Sequence, residues 1–204
     1  MRYGSLIKLK PEWEERYIIL HRHTFPGVLD RIRRSNIRNY SIFLSDGMLF
    51  SYWEHIGVDY AADMVEIGRD EVTQDWWKLT EPMQEPLETR KEGEKWASMD
   101  EIFHWSEESG PDDMIRMTAF TAKIIENLES SVIESLKIAY PILAEKSDLK
   151  NIKNFSVYHK DGCLYSYFEF LSENLGEDIK KVQSKLKVED ELVWLPMKKV
   201  FHMD

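Results

Sequence analysis

The chain has 204 residues, 43% of them apolar and 31% charged, with a net charge of −10; this is the composition of a folded protein, long enough for two domains of roughly 100 residues. An acidic field repels phosphate backbones and anionic membranes, which argues against nucleic-acid and membrane partners. No run approaches the roughly 20 apolar residues of a membrane span, the first residues lack the apolar stretch of a signal peptide, and the single cysteine, Cys163, has no internal disulfide partner, so a reducing, cytoplasmic location is expected.

Tyr3–Leu9 alternates as a strand does. Pro11 followed by three glutamates, Glu12, Glu14 and Glu15, marks a helix start, and Phe25-Pro26 marks a break before a second helical stretch. Asn39–Phe43 and Met48–His55 flank Ser45-Asp46-Gly47, a hairpin signal. Ala61–Leu79 carries helical periodicity and Ile102–Trp105 reads as a closing strand. The order β-α-β-β-α-β is the ferredoxin-like pattern of an α+β fold. Its sheet leaves one apolar face that a second sheet can cover.

A second sheet is present in the same chain. Asn39–Glu54 (NYSIFLSDGMLFSYWE) matches Asn154–Glu169 (NFSVYHKDGCLYSYFE) without gaps, with 8 of 16 positions identical. Phe25-Pro26 matches Tyr140-Pro141 at the same offset of 115, Phe103-His104 matches Phe201-His202, and Pro82-Met83 is expected to match Pro196-Met197. A repeat of this length is a duplicated domain rather than a solenoid. The expected division is a first copy over residues 1–105, an acidic linker over 106–113 (SEESGPDD) and a second copy over 114–204. The two copies would form a pseudo-dimer of ferredoxin-like domains.

Tyr17 and His21 stand four residues apart and share one helix face. A phenol beside an imidazole can move protons at neutral pH, although a packed helix stripe has the same spacing. Trp76 and Trp77 point about 100° apart on a helix, so one can pack while the other reaches a cavity and stacks on a sugar face. Tyr40 opens a strand and, by alternation, faces opposite to Ser41. The second copy distinguishes the readings. There Tyr17 becomes Val132, His21 becomes Leu136, Tyr40 becomes Phe155, and Asp190 and Glu191 stand near the place of the tryptophan pair. Residues needed only for folding persist in both copies, so residues kept together in one copy point to a site. Neither a metal-ligand spacing nor a phosphate loop occurs, and nothing calls for a cofactor.

Pro11, Tyr17, His21, Pro26, Asn39-Tyr40, Asp46-Gly47-Met48-Leu49-Phe50, Trp76-Trp77, Met83 and Ile102-Phe103 together resemble the L-rhamnose mutarotase family in order and spacing over residues 1–105. Its members are single domains that pair in a dimeric α+β barrel; this chain departs by carrying two copies, which leaves room for further self-association. The resemblance implies a cofactor-independent enzyme that interconverts the α and β anomers of L-rhamnose or a similar deoxysugar. His21 would exchange a proton with the ring oxygen or O1, with Tyr17 as its hydrogen-bonding partner. Tyr40 would hold a sugar hydroxyl, and Trp76 and Trp77 would stack on the apolar face. Two other readings share the architecture: a cofactor-free monooxygenase, and a non-catalytic sugar-binding or regulatory module.

Overall fold

A computed structural model describes residues 1–106, 115–145, 152–171 and 192–204. The expected linker from residue 107 onward, and Asp190 and Glu191, lie outside the described residues. Two compact units are present, one of Met1–Met99 with Lys198–Asp204 and one of Asp100–Met197.

The first unit begins with β1 (Arg2–Leu9), a 3-10 turn at Pro11–Trp13, α1 (Glu14–Arg22) and α2 (Pro26–Arg34). Pro26 starts α2 where its missing N–H costs nothing, so the break expected at Phe25-Pro26 is present. Strands β2 (Ile37–Ser45) and β3 (Met48–His55) form a hairpin. Its two-residue loop has Asp46 and Gly47 both at positive φ, 48° and 72°, the primed turn whose twist matches that of paired strands. The helix expected over Ala61–Leu79 is two helices, α3 (Tyr60–Arg69) and α4 (Glu71–Thr80). Asp70 separates them because its carboxylate accepts from the Thr73 amide at 2.8 Å and caps α4. A 3-10 turn at Glu81–Met83 leads to the short strands β4 (Gln84–Glu85) and β5 (Ala97–Ser98).

At the end of β3, a partly buried polar clip anchors α3. Asp63 accepts from Asn36 Nδ2 at 2.9 Å and from His55 Nε2 at 2.7 Å. The Asn36 bond first and the His55 bond second hold its carboxyl below the usual range. A Cβ on Gly57 would stand 2.8 Å from the clip atoms of all three residues. Gly57→Ala is therefore expected to cost about 1–3 kcal/mol in chemical denaturation; unchanged stability would mean that the clip yields without cost.

The second unit contains β6 (Asp100–Ser106), β7 (Arg116–Lys123), α5 (Glu129–Glu145), β8 (Ile152–Lys160), β9 (Cys163–Phe170) and β10 (Leu195–Pro196). Asp161 and Gly162 repeat the primed turn at 50° and 70°. Pro141, unlike Pro26, sits inside a continuous helix.

Both sheets are antiparallel and have the same strand sequence. With β11 over Lys198–Met203, the first runs β11-β2-β3-β1-β4, with β5 beside β4 on β1; the second runs β6-β8-β9-β7-β10. The outermost strand of each lies on the other side of the repeat in sequence. β6, expected to close the first copy, pairs with β8, and β11 (Lys198–Met203) pairs with β2. Compact units and sequence copies therefore differ in their last strand. The exchange preserves an equivalent contact: His202 Nδ1 lies 2.9 Å from Ser41 Oγ, and His104 Nδ1 lies 2.9 Å from Ser156 Oγ.

Backbone pairing also corrects one sequence match. Met99 N donates to Gly4 O at 3.1 Å, and Met197 N donates to Ala119 O at 2.9 Å. Gly4 and Ala119 are 115 apart, so the counterpart of Met197 is Met99, not Met83. Trp96 and Trp194 then correspond. From Glu54 to Trp96 is 42 positions and from Glu169 to Trp194 is 25, so the second copy is 17 residues shorter there.

Candidate active site

A cavity of about 320 Å³ in the first unit is lined by Tyr17, His21, Tyr40, Trp76 and Trp77. All five residues singled out in the sequence meet there. Gln84, Glu81, Lys95 and Trp96 complete the polar and aromatic wall. A second chamber of about 290 Å³ shares Tyr40, Trp76, Trp77 and Trp96 with it and extends among Val28, Ile32 and Trp53.

The wall is built locally. On α1 the four-residue spacing stacks Tyr17 and His21, with ring centroids 4.0 Å apart. Both are buried. No side-chain hydrogen bond joins them, contrary to the sequence expectation. A helix points His21 Nδ1 at the carbonyl one turn back, so Nδ1 donates to Tyr17 O at 2.9 Å. The Tyr17 phenol instead accepts from Gln84 Nε2 at 3.2 Å. Trp76 is buried and meets His21 edge-on at 5.2 Å and Phe25 at 5.3 Å, while Trp77 remains 36% exposed. Both line the cavity, Trp76 from a buried position and Trp77 from a partly exposed one, as adjacent helix positions allow.

Simple alternation does not place Tyr40. The β2–β3 register shifts between Arg38 and Ser41, and Asn39 sits at φ 51°. This bulge re-aims Tyr40. It is held by Asn39 Nδ2 donating to Glu54 Oε1 at 3.1 Å; the second copy keeps the bond between Asn154 and Glu169, but its register shifts earlier, between Ile152 and Asn154, and Phe155 pairs regularly with Phe168. The asparagine–glutamate bond is thus common to both copies, whereas the bulge at Asn39-Tyr40 and the phenol are particular to the first.

Phe201, on β11, packs edge-on against His21 at 6.0 Å and Tyr40 at 5.5 Å. Its counterpart Phe103 packs in the second unit against Phe155 and Tyr140, at 5.2 and 5.4 Å. There Leu136 and Val132 are buried in the core, so apolar side chains stand where the first unit has its imidazole and phenols.

Burial sets the protonation states. Desolvation lowers the His21 pKa to about 4, against the small opposing effect of its bond to Tyr17 O. Desolvation raises the Tyr17 phenol well above its ordinary value, the Tyr40 phenol adds to this, and the Gln84 bond opposes it. Tyr40 is also raised by burial, then by Tyr60. At neutral pH the cavity therefore holds a neutral imidazole and protonated phenols. The unfolded chain binds the His21 proton more tightly than the folded one. The resulting stability is full above the ordinary histidine range and is lost as pH falls through about 4. At the mouth, Lys95 Nζ pairs with Glu81 Oε1 at 2.6 Å, both partly exposed.

Sequence reading missed Gln84, Glu81 and Lys95. They fall in the interval where the second copy is 17 residues shorter, a signal hidden by matching Met83 to Met197. Phe201 was missed because it lies 161 residues from Tyr40.

The sequence profile described as L-rhamnose mutarotase matches residues 2–105. The chain is 28% identical to the L-rhamnose mutarotase of Lactiplantibacillus plantarum over 107 residues, 51% of this chain and 97% of that protein. It is 32% identical to that of Listeria monocytogenes over 84 residues, 40% and 78% of the two chains. Over 99% of its length it is similar to the crystal structure of a proposed monooxygenase from Lactobacillus acidophilus, of which 95% is covered, with a TM-score of 0.53 at 7% identity. A likeness at that identity is one of fold, and it agrees with the α+β, ferredoxin-like reading.

Proposed function

The chain belongs to the L-rhamnose mutarotase family, and from that premise we propose that it interconverts the α and β anomers of L-rhamnose or a close deoxysugar. Mutarotation removes the proton of O1, breaks the bond between C1 and the ring oxygen, rotates C1 about C1–C2 and closes the ring on the other face. It needs one proton donor and one acceptor. The observation that carries the reading is the stacked Tyr17–His21 pair in one cavity with Tyr40 and the two tryptophans. Tyr40 offers a hydrogen bond to a sugar hydroxyl, and Trp76 and Trp77 offer ring faces to its C–H groups and methyl. The second copy, with Leu136 and Phe155 in the corresponding places, serves as structural partner and supplies β11.

Saturation-transfer NMR on L-rhamnose at anomeric equilibrium tests the proposal. Exchange between the C1 protons is expected to accelerate with added protein. Tight sugar binding with exchange at the buffer rate would support the sugar-binding module instead.

The pH dependence follows from burial. His21 acts in its neutral form, so protein-dependent exchange is expected to rise as pH increases through about 4 and to be level through neutrality. An acid limb centred near the ordinary histidine value would place the working group elsewhere.

A further inference from the structure

We infer that the second chamber of the first unit is a subsite for a short apolar chain that the sugar carries on O3 or O4, in ether or ester linkage; the placement of the ring rests on the mutarotase reading. Tyr17 and His21 line only the cavity of about 320 Å³, whereas Tyr40, Trp76, Trp77 and Trp96 line both chambers. With C1 and the ring oxygen at the stacked pair, the atoms across the ring, C3 and C4, face the shared aromatic wall. A monosaccharide is accommodated by the first cavity alone, which already has the size usual for a small-molecule site. The chamber of about 290 Å³ is surplus to it. Away from the shared aromatics its wall is largely apolar, formed by Val28, Ile32, Ile37, Met64 and Ile67. Its small hydroxyl side chains are engaged. Ser5 Oγ and Ser51 Oγ lie 2.7 Å apart, both residues buried, and Thr73 Oγ1 donates to Asp70 Oδ2 at 2.8 Å. A second sugar ring would bury hydroxyls there without partners, at a cost. An alkyl chain loses nothing polar and gains by leaving water.

The second copy has a core side chain at this place. Ser5 pairs with Ser51 across β1 and β3, and the corresponding pair across β7 and β9 is Phe120 with Ser166. Phe120 is buried and packs edge-on against Phe168, the counterpart of Trp53, at 5.9 Å. Phe168 stacks in turn on Phe155, the counterpart of Tyr40, at 4.3 Å. Three phenylalanines thus close the second unit where the first has a serine, a tryptophan and a tyrosine around open space. A serine in place of a core phenylalanine forgoes packing, and an apolar substituent of the substrate restores it.

Ser5→Phe installs the side chain of the second copy and fills the chamber. Ser51 can then donate to the carbonyl of residue 5, as Ser166 Oγ does to Phe120 O at 3.4 Å. Calorimetry compares L-rhamnose with its 2-O-, 3-O- and 4-O-methyl and propyl ethers, and saturation-transfer NMR follows anomer exchange of the same sugars. From methyl to propyl, Kd is expected to fall about 5–15-fold in the 3-O or the 4-O series. It is expected to stay level in the 2-O series, whose oxygen adjoins the anomeric carbon. In Ser5→Phe the fall is expected to vanish, with exchange of L-rhamnose itself within about twofold of wild type. No fall in either series, an equal fall in all three, or a fall kept in folded Ser5→Phe each overturns the inference. Loss of L-rhamnose binding in folded Ser5→Phe would place the ring itself in the chamber and overturn it as well. Should Ser5→Phe not fold, Ile67→Phe fills the same chamber from α3 and is read by the same criteria. If the wild type binds L-rhamnose but leaves exchange at the buffer rate, the mutarotase reading fails, and the Kd series still decides the chamber.

Discussion

His21→Ala is expected to reduce protein-dependent anomer exchange by about 10²–10⁴-fold, the span usual for a positioned acid or base, with the fold retained. Two features make this the largest catalytic effect in the cavity. Burial keeps the imidazole neutral, with its remaining nitrogen unpartnered among the described residues. The other basic group on the wall, the Glu81 carboxylate, is engaged by Lys95 at 2.6 Å. Glu81→Gln is the matching control and is expected to lose less than about tenfold. His21→Gln keeps most of the volume but has no basic nitrogen, so it is expected to behave as His21→Ala. Thermal melting of each variant separates lost chemistry from lost structure. A folded His21→Ala protein with wild-type exchange would remove His21 from the reaction.

Removing residues 198–204 is expected to abolish the cooperative unfolding of the first unit. Val200, Phe201 and Met203 are buried in its core through β11. Side chains of these types each contribute about 1.5–3 kcal/mol on burial, and three of them approach the 5–15 kcal/mol that separates a folded domain from an unfolded one. Truncation also exposes the edge of β2 and leaves buried Ser41 without the imidazole it meets at 2.9 Å. Phe201→Ala is the milder version. It is expected to cost about 3–5 kcal/mol and to slow exchange, because Phe201 braces both His21 and Tyr40. Tryptophan fluorescence is a suitable probe, since Trp13, Trp53, Trp76, Trp77 and Trp96 all lie in the first unit. A truncated chain that melts like the intact one would mean that β11 is dispensable to the sheet.

The sequence by itself determined what rests on local physics. Asp46-Gly47 and Asp161-Gly162 specify primed turns because a two-residue hairpin needs positive φ at both positions. The four-residue spacing on α1 specified the Tyr17–His21 stack, and the contrast with Val132 and Leu136 picked out the half that carries the pair. Tertiary structure decided the rest. Ile102-Phe103-His104 and Val200-Phe201-His202 are equivalent in chemistry, and each histidine meets the same kind of serine, so no residue preference states which strand closes which sheet. The bulge at Asn39 needs Glu54 on the neighbouring strand to hold it. Gln84 reaches Tyr17 across 67 residues, through a segment that carries no periodic signal. Local propensity and internal repetition fix elements and pick out unusual residues, but a hydrogen bond between distant segments exists only once the sheet and helices have brought its two ends within 3 Å or so of each other.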